Sequence, residues 1–206
     1  MPGFDSGDPW RAAAASVIGA AAQWREAVPG PHEVLVLAID GHGGSGKTTI
    51  AAAVARATGA ALVHTDDFFT DAIFAPGAQR PMQSYYDWRR LRTQALGPLR
   101  ARRCASFRRF DWEAGAGLDG TVTVGPAGLI VIEGVFSAAP QLSDQVDRAV
   151  FVDTPEPERL RRLRGRIAAE EWDEDWLRAE RTYFLTRPPA SFDLVVPGVI
   201  DGGGVT

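Results

Sequence analysis

The chain has 206 residues, 45% hydrophobic and 23% charged, enough for one core of ordinary size; its 22 Gly and 14 Pro stay below the level of low-complexity chains. Against 26 acidic residues stand 22 basic ones, and the net charge of −4 excludes the global basic field that a nucleic-acid partner requires. A single cysteine, Cys104, excludes an internal disulfide framework or a Cys-based zinc cluster and suits a reducing cytosol, and His32, His42 and His64 show no metal-ligand spacing.

In chain order, residues 9 to 27 read as an Ala-rich helix packed through Val17, Ile18 and Trp24 and ended by Pro29-Gly30-Pro31. Its apolar stretch, 12 to 22, lacks the basic flank of a signal peptide and is too short to span a bilayer, so a cytoplasmic protein with no membrane partner is expected. Val34 to Ile39 is an unbroken apolar run of the kind buried on both faces of a sheet. A Gly-rich turn and a helix over Lys47 to Thr58 follow, then a short strand, Ala61 to His64, ending before Asp66-Asp67. Asp87 caps a helix from Trp88 to Arg102 with Leu91, Ala95 and Leu99 on one face. Residues 106 to 112 and 121 to 124 suggest a hairpin. Leu129 to Ile132, Ala149 to Val152 and Asp193 to Val196 are further strands; Pro155 to Ala169 and Asp173 to Leu185 are helices. This alternation implies an α/β fold, one domain over 1–206, with an N-terminal extension (1–30), a core (33–197) and a flexible tail (198–206).

Residues 41 to 48, GHGGSGKT, fit the phosphate-loop pattern G-x-x-x-x-G-K-[ST] and lie between a predicted strand and a predicted helix, the context the motif requires. Gly41, Gly43, Gly44 and Gly46 let the backbone curl around phosphate oxygens. The loop's N–H groups converge there, with the positive end of the helix behind them, and Ser45, Lys47, Thr48 and Thr49 join these glycines in the expected nucleotide-binding set. Lys47 is the only lysine in the chain. Arg replaces Lys everywhere else, so the survivor marks a place where a compact point charge fits and a planar fork does not. ATP is the expected cofactor, with Lys47 reaching its β and γ oxygens and Thr48 available to Mg²⁺.

A second acidic element is expected to complete the metal site. Ile130-Val131-Ile132-Glu133 is an apolar strand ending in a carboxylate, which could hold Mg²⁺ through water. Asp66 would face the same crevice, where a carboxylate can accept a hydroxyl proton and share the metal; Asp67 is the alternative, and spacing alone does not choose between them. In the Arg-rich stretch 158–166, Arg159, Arg162 and Arg166 share a helical face and could close over a triphosphate, whereas Arg161 and Arg164 read as solvated partners of neighbouring glutamates.

At these residues the chain resembles the uridine kinase and phosphoribulokinase group of P-loop small-molecule kinases, uridine–cytidine kinases in particular. The resemblance covers roughly 33–197 and rests on GHGGSGKT, TDDFF at 65–69, FDW at 110–112, IEG at 132–134 and RLRRLRGR at 159–166. It implies a three-layer P-loop fold with a five-stranded parallel sheet, a small hairpin over the acceptor and an Arg-rich lid. It implies Asp66 as general base, Phe110-Asp111-Trp112 as the element whose aromatics contact the base, and Arg162 and Arg166 as lid arginines. Asp67, Phe68, Arg80, Tyr85, Tyr86 and Arg109 are further acceptor-side candidates. The sequence departs from the pattern where the family grips the ribose diol: RPMQSYYDW at 80–88 has no clear counterpart to that Asp. The family's His is missing from WEAGAGL, and the Asp after the lid arginine is Ile167.

The expected activity is ATP-dependent phosphorylation of a small acceptor, foremost the 5′-hydroxyl of uridine or cytidine. Nicotinamide riboside, pantothenate, a sugar or an antibiotic hydroxyl are alternative acceptors, and a nucleotide-binding switch is a third reading. A switch GTPase would need an Asn-Lys-x-Asp element, which a chain without Asn cannot supply. Self-association into a homo-oligomer is left open.

Overall fold

The computed structural model describes residues 9–27, 33–70, 84–114, 117–164 and 174–198. Its elements are α1 (Pro9–Ala27), β1 (Leu35–Asp40), α2 (Lys47–Thr58), β2 (Ala61–His64), a helix α3 beginning at Trp88, β3 (Ala105–Phe110), β4 (Leu118–Val124), β5 (Leu129–Glu133), β6 (Arg148–Asp153), α4 (Glu156–Arg164), α5 (Glu174–Thr186) and β7 (Leu194–Pro197). Five strands form a parallel sheet in the order β2-β5-β1-β6-β7, and β3 with β4 forms a separate antiparallel pair.

Strand position explains strand composition. The inner strands β1 (LVLAID) and β5 (LIVIE) are buried at every residue, while the edge strands β2 and β7 are short and partly exposed. Successive residues of β1 alternate between the two faces. Leu35, Leu37 and Ile39 pack with Val17 of α1 and Ile50 and Val54 of α2. Val36, Ile130 and Ile132 pack on the other face with Leu91, Leu96 and Leu99 of α3 and Phe107 of the hairpin. The result is the expected three-layer α/β arrangement, with α1 laid against α2 and β7.

Three elements differ from the sequence reading. Helix α3 is continuous from Trp88 to Arg100 but its middle, Leu91–Leu96, is π-helical. Pro98 has no N–H to give, and the Gly97 N–H reaches back to the Arg92 carbonyl. The extra residue in that turn buries Leu96 beside Leu91 and Ala95. Strand β3 stops at Phe110 because the Asp111 carboxylate accepts the N–H groups of Glu113 (3.0 Å) and Ala114 (2.9 Å) and turns the chain. Its partner begins earlier than predicted, at Leu118, and the register shifts between Arg108 and Arg109. The expected extension of α4 to Ala169, the Pro29–Pro31 stop, and the tail beyond Gly198 lie outside the described residues.

Parallel pairing aligns Ile39 with Glu133 and His64 with Glu133. The carboxyl ends of β1, β5 and β2 therefore finish side by side, and the chemistry-bearing residues leave the sheet at one edge.

Candidate active site

The phosphate loop starts where β1 ends. Asp40 is fully buried there: its Oδ1 accepts the N–H groups of Gly41 (2.7 Å) and Phe136 (3.0 Å), and its Oδ2 those of Ala138 (3.0 Å) and the Tyr183 hydroxyl (2.7 Å). Burial pushes its carboxyl upward, and the Tyr183, Ala138 and Gly41 donors with the Lys47 charge pull the other way. One side chain thus ties the loop to the segment after β5 and to α5. Gly44 sits at φ 75, and a Cβ there would come within 2.7 Å of the Arg159 carbonyl oxygen, so α4 packs directly on the loop backbone. The loop rests on two further supports: Arg159 Nη1 donates to the Gly43 carbonyl (3.2 Å) and Arg162 Nη1 to that of Gly44 (3.2 Å).

Helix α2 begins at Lys47 with Gly46 as its cap, and its first intrahelical bond runs from Ile50 N–H to the Gly46 carbonyl (3.2 Å). The N–H groups of Gly46, Lys47, Thr48 and Thr49 consequently have no helical acceptor, as at any helix start. The Gly43 and Ser45 N–H groups are already used inside the protein, by Glu180 and by the His42 carbonyl.

Opposite the loop, Glu133 closes β5. Its Oε2 accepts the Thr48 hydroxyl (3.1 Å) and its Oε1 lies 2.6 Å from His64 Nδ1. That hydrogen bond raises the His64 pKa against the opposing effect of burial. The close fit here depends on Gly134, at φ 141, where an added Cβ would collide with the Thr65 hydroxyl.

Asp66 and Asp67 lie in a 3-10 turn, Thr65–Phe68, immediately after β2. Asp66 opens to solvent but stands between protein walls. The loss of surrounding water, and then the Glu133 charge, outweigh Lys47 and His64 and push it up to about 6. Asp67 is raised mainly by burial, with His64, Arg109 and Arg90 opposing. Lys47 itself is buried, and its charge is felt at Asp66, Asp40 and Glu180.

After this turn comes an aromatic cluster that begins at Phe69. Trp112, half exposed, packs edge-on against Phe69 (4.7 Å between centroids) and Phe110 (5.0 Å), while Trp176 of α5 meets Phe69, Tyr85 and Phe136 at 5.5, 5.3 and 5.2 Å.

No protein-family model matches the chain. Over 136 residues, 61% of this chain and 65% of the relative, it is 25% identical to the uridine kinase of Ureaplasma parvum serovar 3. It thus spans just under two thirds of the length of the curated relatives it matches. A possible uridine kinase from Bacillus stearothermophilus superposes with a TM-score of 0.63 at 25% identity, covering 86% of this chain and 96% of that one. In sequence and in fold the chain is similar to uridine kinases, which are P-loop kinases. The D-glycerate 3-kinase of Cryptococcus neoformans var. grubii shares the fold, with a TM-score of 0.60 at 16% identity over 91% of this chain and 95% of that one.

Of the residues that the sequence singled out, the structure brings together the Gly41–Thr49 loop, Asp66 and Glu133. On the acceptor side it separates core from surface. Phe68, Tyr85, Tyr86 and Phe110 are buried: Phe68 lies against Phe107 (4.7 Å) under the Arg90 guanidinium, and the Tyr86 hydroxyl donates to the Val135 carbonyl (3.1 Å). These four supply packing rather than accessible surface, which corrects the expectation that their rings face a ligand. Asp67, Arg109 and Trp112 do reach solvent, Arg109 beside Asp119 at 3.7 Å. Arg162 is engaged by Glu158 (2.8 Å) as well as by the Gly44 carbonyl. Arg161, read as a solvated partner, pairs with Glu158 at 2.9 Å and is exposed. Arg80 and Arg166 lie outside the described residues.

Four residues escaped the sequence reading: Asp40, His64, Glu180 and Tyr183. Spacing excludes His64 and His42 as metal ligands and says nothing more of them, and each pairs with a carboxylate at 2.6 Å. The one available signal was position, since His42 lies within the phosphate-loop motif and His64 ends the strand before Asp66-Asp67.

Among the described residues, no three His, Cys, Asp or Glu side chains are grouped to hold a metal by themselves. A hydroxyl and a carboxylate 3.1 Å apart, with Asp66 close enough to feel that carboxylate, make an incomplete set of hard oxygens. That set fits Mg²⁺, which keeps several waters and shares its remaining positions with phosphate. No described helix is long and apolar enough to cross a membrane.

Proposed function

We propose that this protein transfers the γ-phosphoryl group of ATP to a hydroxyl of a small molecule, and that the acceptor is the 5′-hydroxyl of uridine or cytidine. The observation that carries the reading is the convergence of Lys47, the Thr48–Glu133 pair and Asp66 at the carboxyl ends of β1, β5 and β2. In this reading the kinase unit is residues 33–197. The N–H groups of Gly46 to Thr49, with Gly44, receive the phosphates, and Lys47 balances the β and γ charge. Thr48, Glu133 and Asp66 would hold Mg²⁺, whose charge would offset that of the phosphates. Asp66, its pKa pushed above the ordinary carboxylate range by burial and the Glu133 charge, takes the proton of the acceptor hydroxyl as its oxygen forms the new bond to phosphorus and ADP departs. Arg162, at the edge of the loop, and Arg166 supply positive charge toward the transferred group. Trp112 offers the acceptor an aromatic face, with Asp67 and Arg109 as its polar neighbours.

One observation favours a second acceptor class. The stretch leading into α3, SYYDW, puts its tyrosines in the core and its Asp on the Arg90 N–H as a helix cap (2.9 Å), so no carboxylate from it grips a ribose diol. Pantothenate, another sugar or an antibiotic is then the acceptor, with the same phosphoryl chemistry, while nicotinamide riboside carries the same diol and stands with the nucleosides. The test is ADP release from Mg·ATP by the purified protein against a panel of these acceptors and nucleosides, with Asp66→Asn as control. Turnover on uridine or cytidine supports the nucleoside reading, and turnover confined to another compound transfers the assignment to it. ATP binding without turnover on any acceptor removes the kinase reading in favour of a nucleotide switch.

A further inference from the structure

Glu180, in the middle of α5, is a buried carboxylate with no part in the chemistry above. Its Oε1 lies 2.6 Å from His42 Nδ1, and its Oε2 accepts the Gly43 N–H at 3.0 Å. Arg159 Nη1 stands 3.5 Å from Oε1 and donates to the Gly43 carbonyl at 3.2 Å. The His42 ring also packs against Phe184, with centroids 4.2 Å apart. Burial alone would neutralise such a carboxyl, but the His42 bond, the Gly43 N–H and the Lys47 charge outweigh it and hold the group below its ordinary range. An ionised side chain kept out of water at this place costs stability unless its partners repay it, and all of them belong to the phosphate loop or brace it.

The loop needs such a brace. Four of its first six residues are glycine, each free to adopt many conformations, and only one arrangement turns the following N–H groups toward phosphate. Glu180 and Tyr183 lie three residues apart on one face of α5. Tyr183 fixes Asp40, and Glu180 fixes the next turn at His42 and Gly43. Spending the Gly43 N–H on Glu180 sets the direction from which Gly44 to Thr49 approach the ligand.

We propose that Glu180 is a positioning residue for nucleotide: its carboxylate clamps His42 and Gly43 and so presets the phosphate loop for the triphosphate. The inference rests on the nucleotide-binding reading of the loop, and the experiment separates the two. Mg·ATP affinity is measured by titration calorimetry on the full chain and on Glu180→Gln, Glu180→Ala and His42→Ala, with thermal unfolding recorded in the absence of nucleotide. Glu180→Ala is expected to weaken ATP about 10- to 100-fold, as for loss of charge-assisted hydrogen bonds. Glu180→Gln, which keeps an acceptor for the Gly43 N–H, should recover part of that loss. In turnover assays the KM for ATP should rise by a similar factor while the KM for the acceptor stays within about twofold. His42→Ala, which leaves the buried carboxylate its other partners, keeps the question answerable if the Glu180 variants do not fold, and should weaken ATP by roughly 3- to 10-fold. Wild-type affinity in variants that fold overturns the clamp. Tighter ATP binding overturns it too, because Glu180 would then compete with phosphate. A wild-type protein that binds no Mg·ATP overturns the nucleotide reading itself, and the clamp with it.

Discussion

On the donor side of the crevice, Asp40, His42 and Gly43 are held by two buried side chains of α5, and the Gly43 and Gly44 carbonyls by two arginines of α4. On the acceptor side, Asp66 opens to solvent on a 3-10 turn and Trp112 stands half exposed at the end of a hairpin strand. In the proposed reading, the difference follows from the two ligands. A triphosphate is recognised by charge and by backbone N–H groups, which must be fixed before it arrives. An acceptor is recognised by side-chain surface, so the buried aromatics there act as a scaffold and only the residues in front of them are free to vary with the substrate.

The largest effect expected from this contrast is at the point where the two sides meet. Asp66→Asn should lower kcat by roughly 10²–10⁴ while Mg·ATP still binds, measured by steady-state kinetics beside calorimetry. A comparable loss in Asp67→Asn, with Asp66→Asn nearly silent, would move the base to the neighbouring carboxylate. Next comes Lys47→Arg, which keeps the charge but brings a planar fork into a buried slot. A loss of about 10²–10³ in kcat/KM is expected, and normal turnover would show that the loop is less tightly built than its braces imply. The pH profile is smaller in range. A base pushed up to about 6 is protonated below that value, so kcat/KM should fall about tenfold per unit as pH drops under about 6 and level off above it. A limb near the ordinary carboxylate range instead would mean that the crevice walls and Glu133 do not act on Asp66 as described. Smallest is Trp112→Ala, expected to raise the acceptor KM by several-fold, the scale of one aromatic contact, with the KM for ATP unchanged. Equal changes in both constants would erase the distinction between the two sides.

The same contrast marks how far the sequence could be read. The phosphate loop was legible because its geometry is encoded by eight consecutive residues between a strand and a helix, and Glu133 because it ends an apolar strand. The strands were legible to within a few residues, since β1, β5 and β6 are buried runs of aliphatic side chains. The hairpin bounds and the π segment of α3 were not, because an Asx turn at Asp111 and a proline inside a helix act on hydrogen bonds that hydrophobic spacing does not report. On the acceptor side, aromatic residue types suggested ligand contacts, but type alone does not say which face of a cluster meets water.

By itself, the sequence determined the α/β alternation, the phosphate loop with its lone lysine, and the acidic residues at the end of β5 and just after β2, all features of contiguous residues. The tertiary structure decided what holds them. His64 pairs with Glu133 across 69 residues of chain, His42 with Glu180 across 138 and Asp40 with Tyr183 across 143. Such partners are chosen by the strand order β2-β5-β1-β6-β7 and by the way α5 packs over the loop. Hydrogen bonds reach only about 3 Å, so a pairing exists only once the whole chain has brought its two ends together.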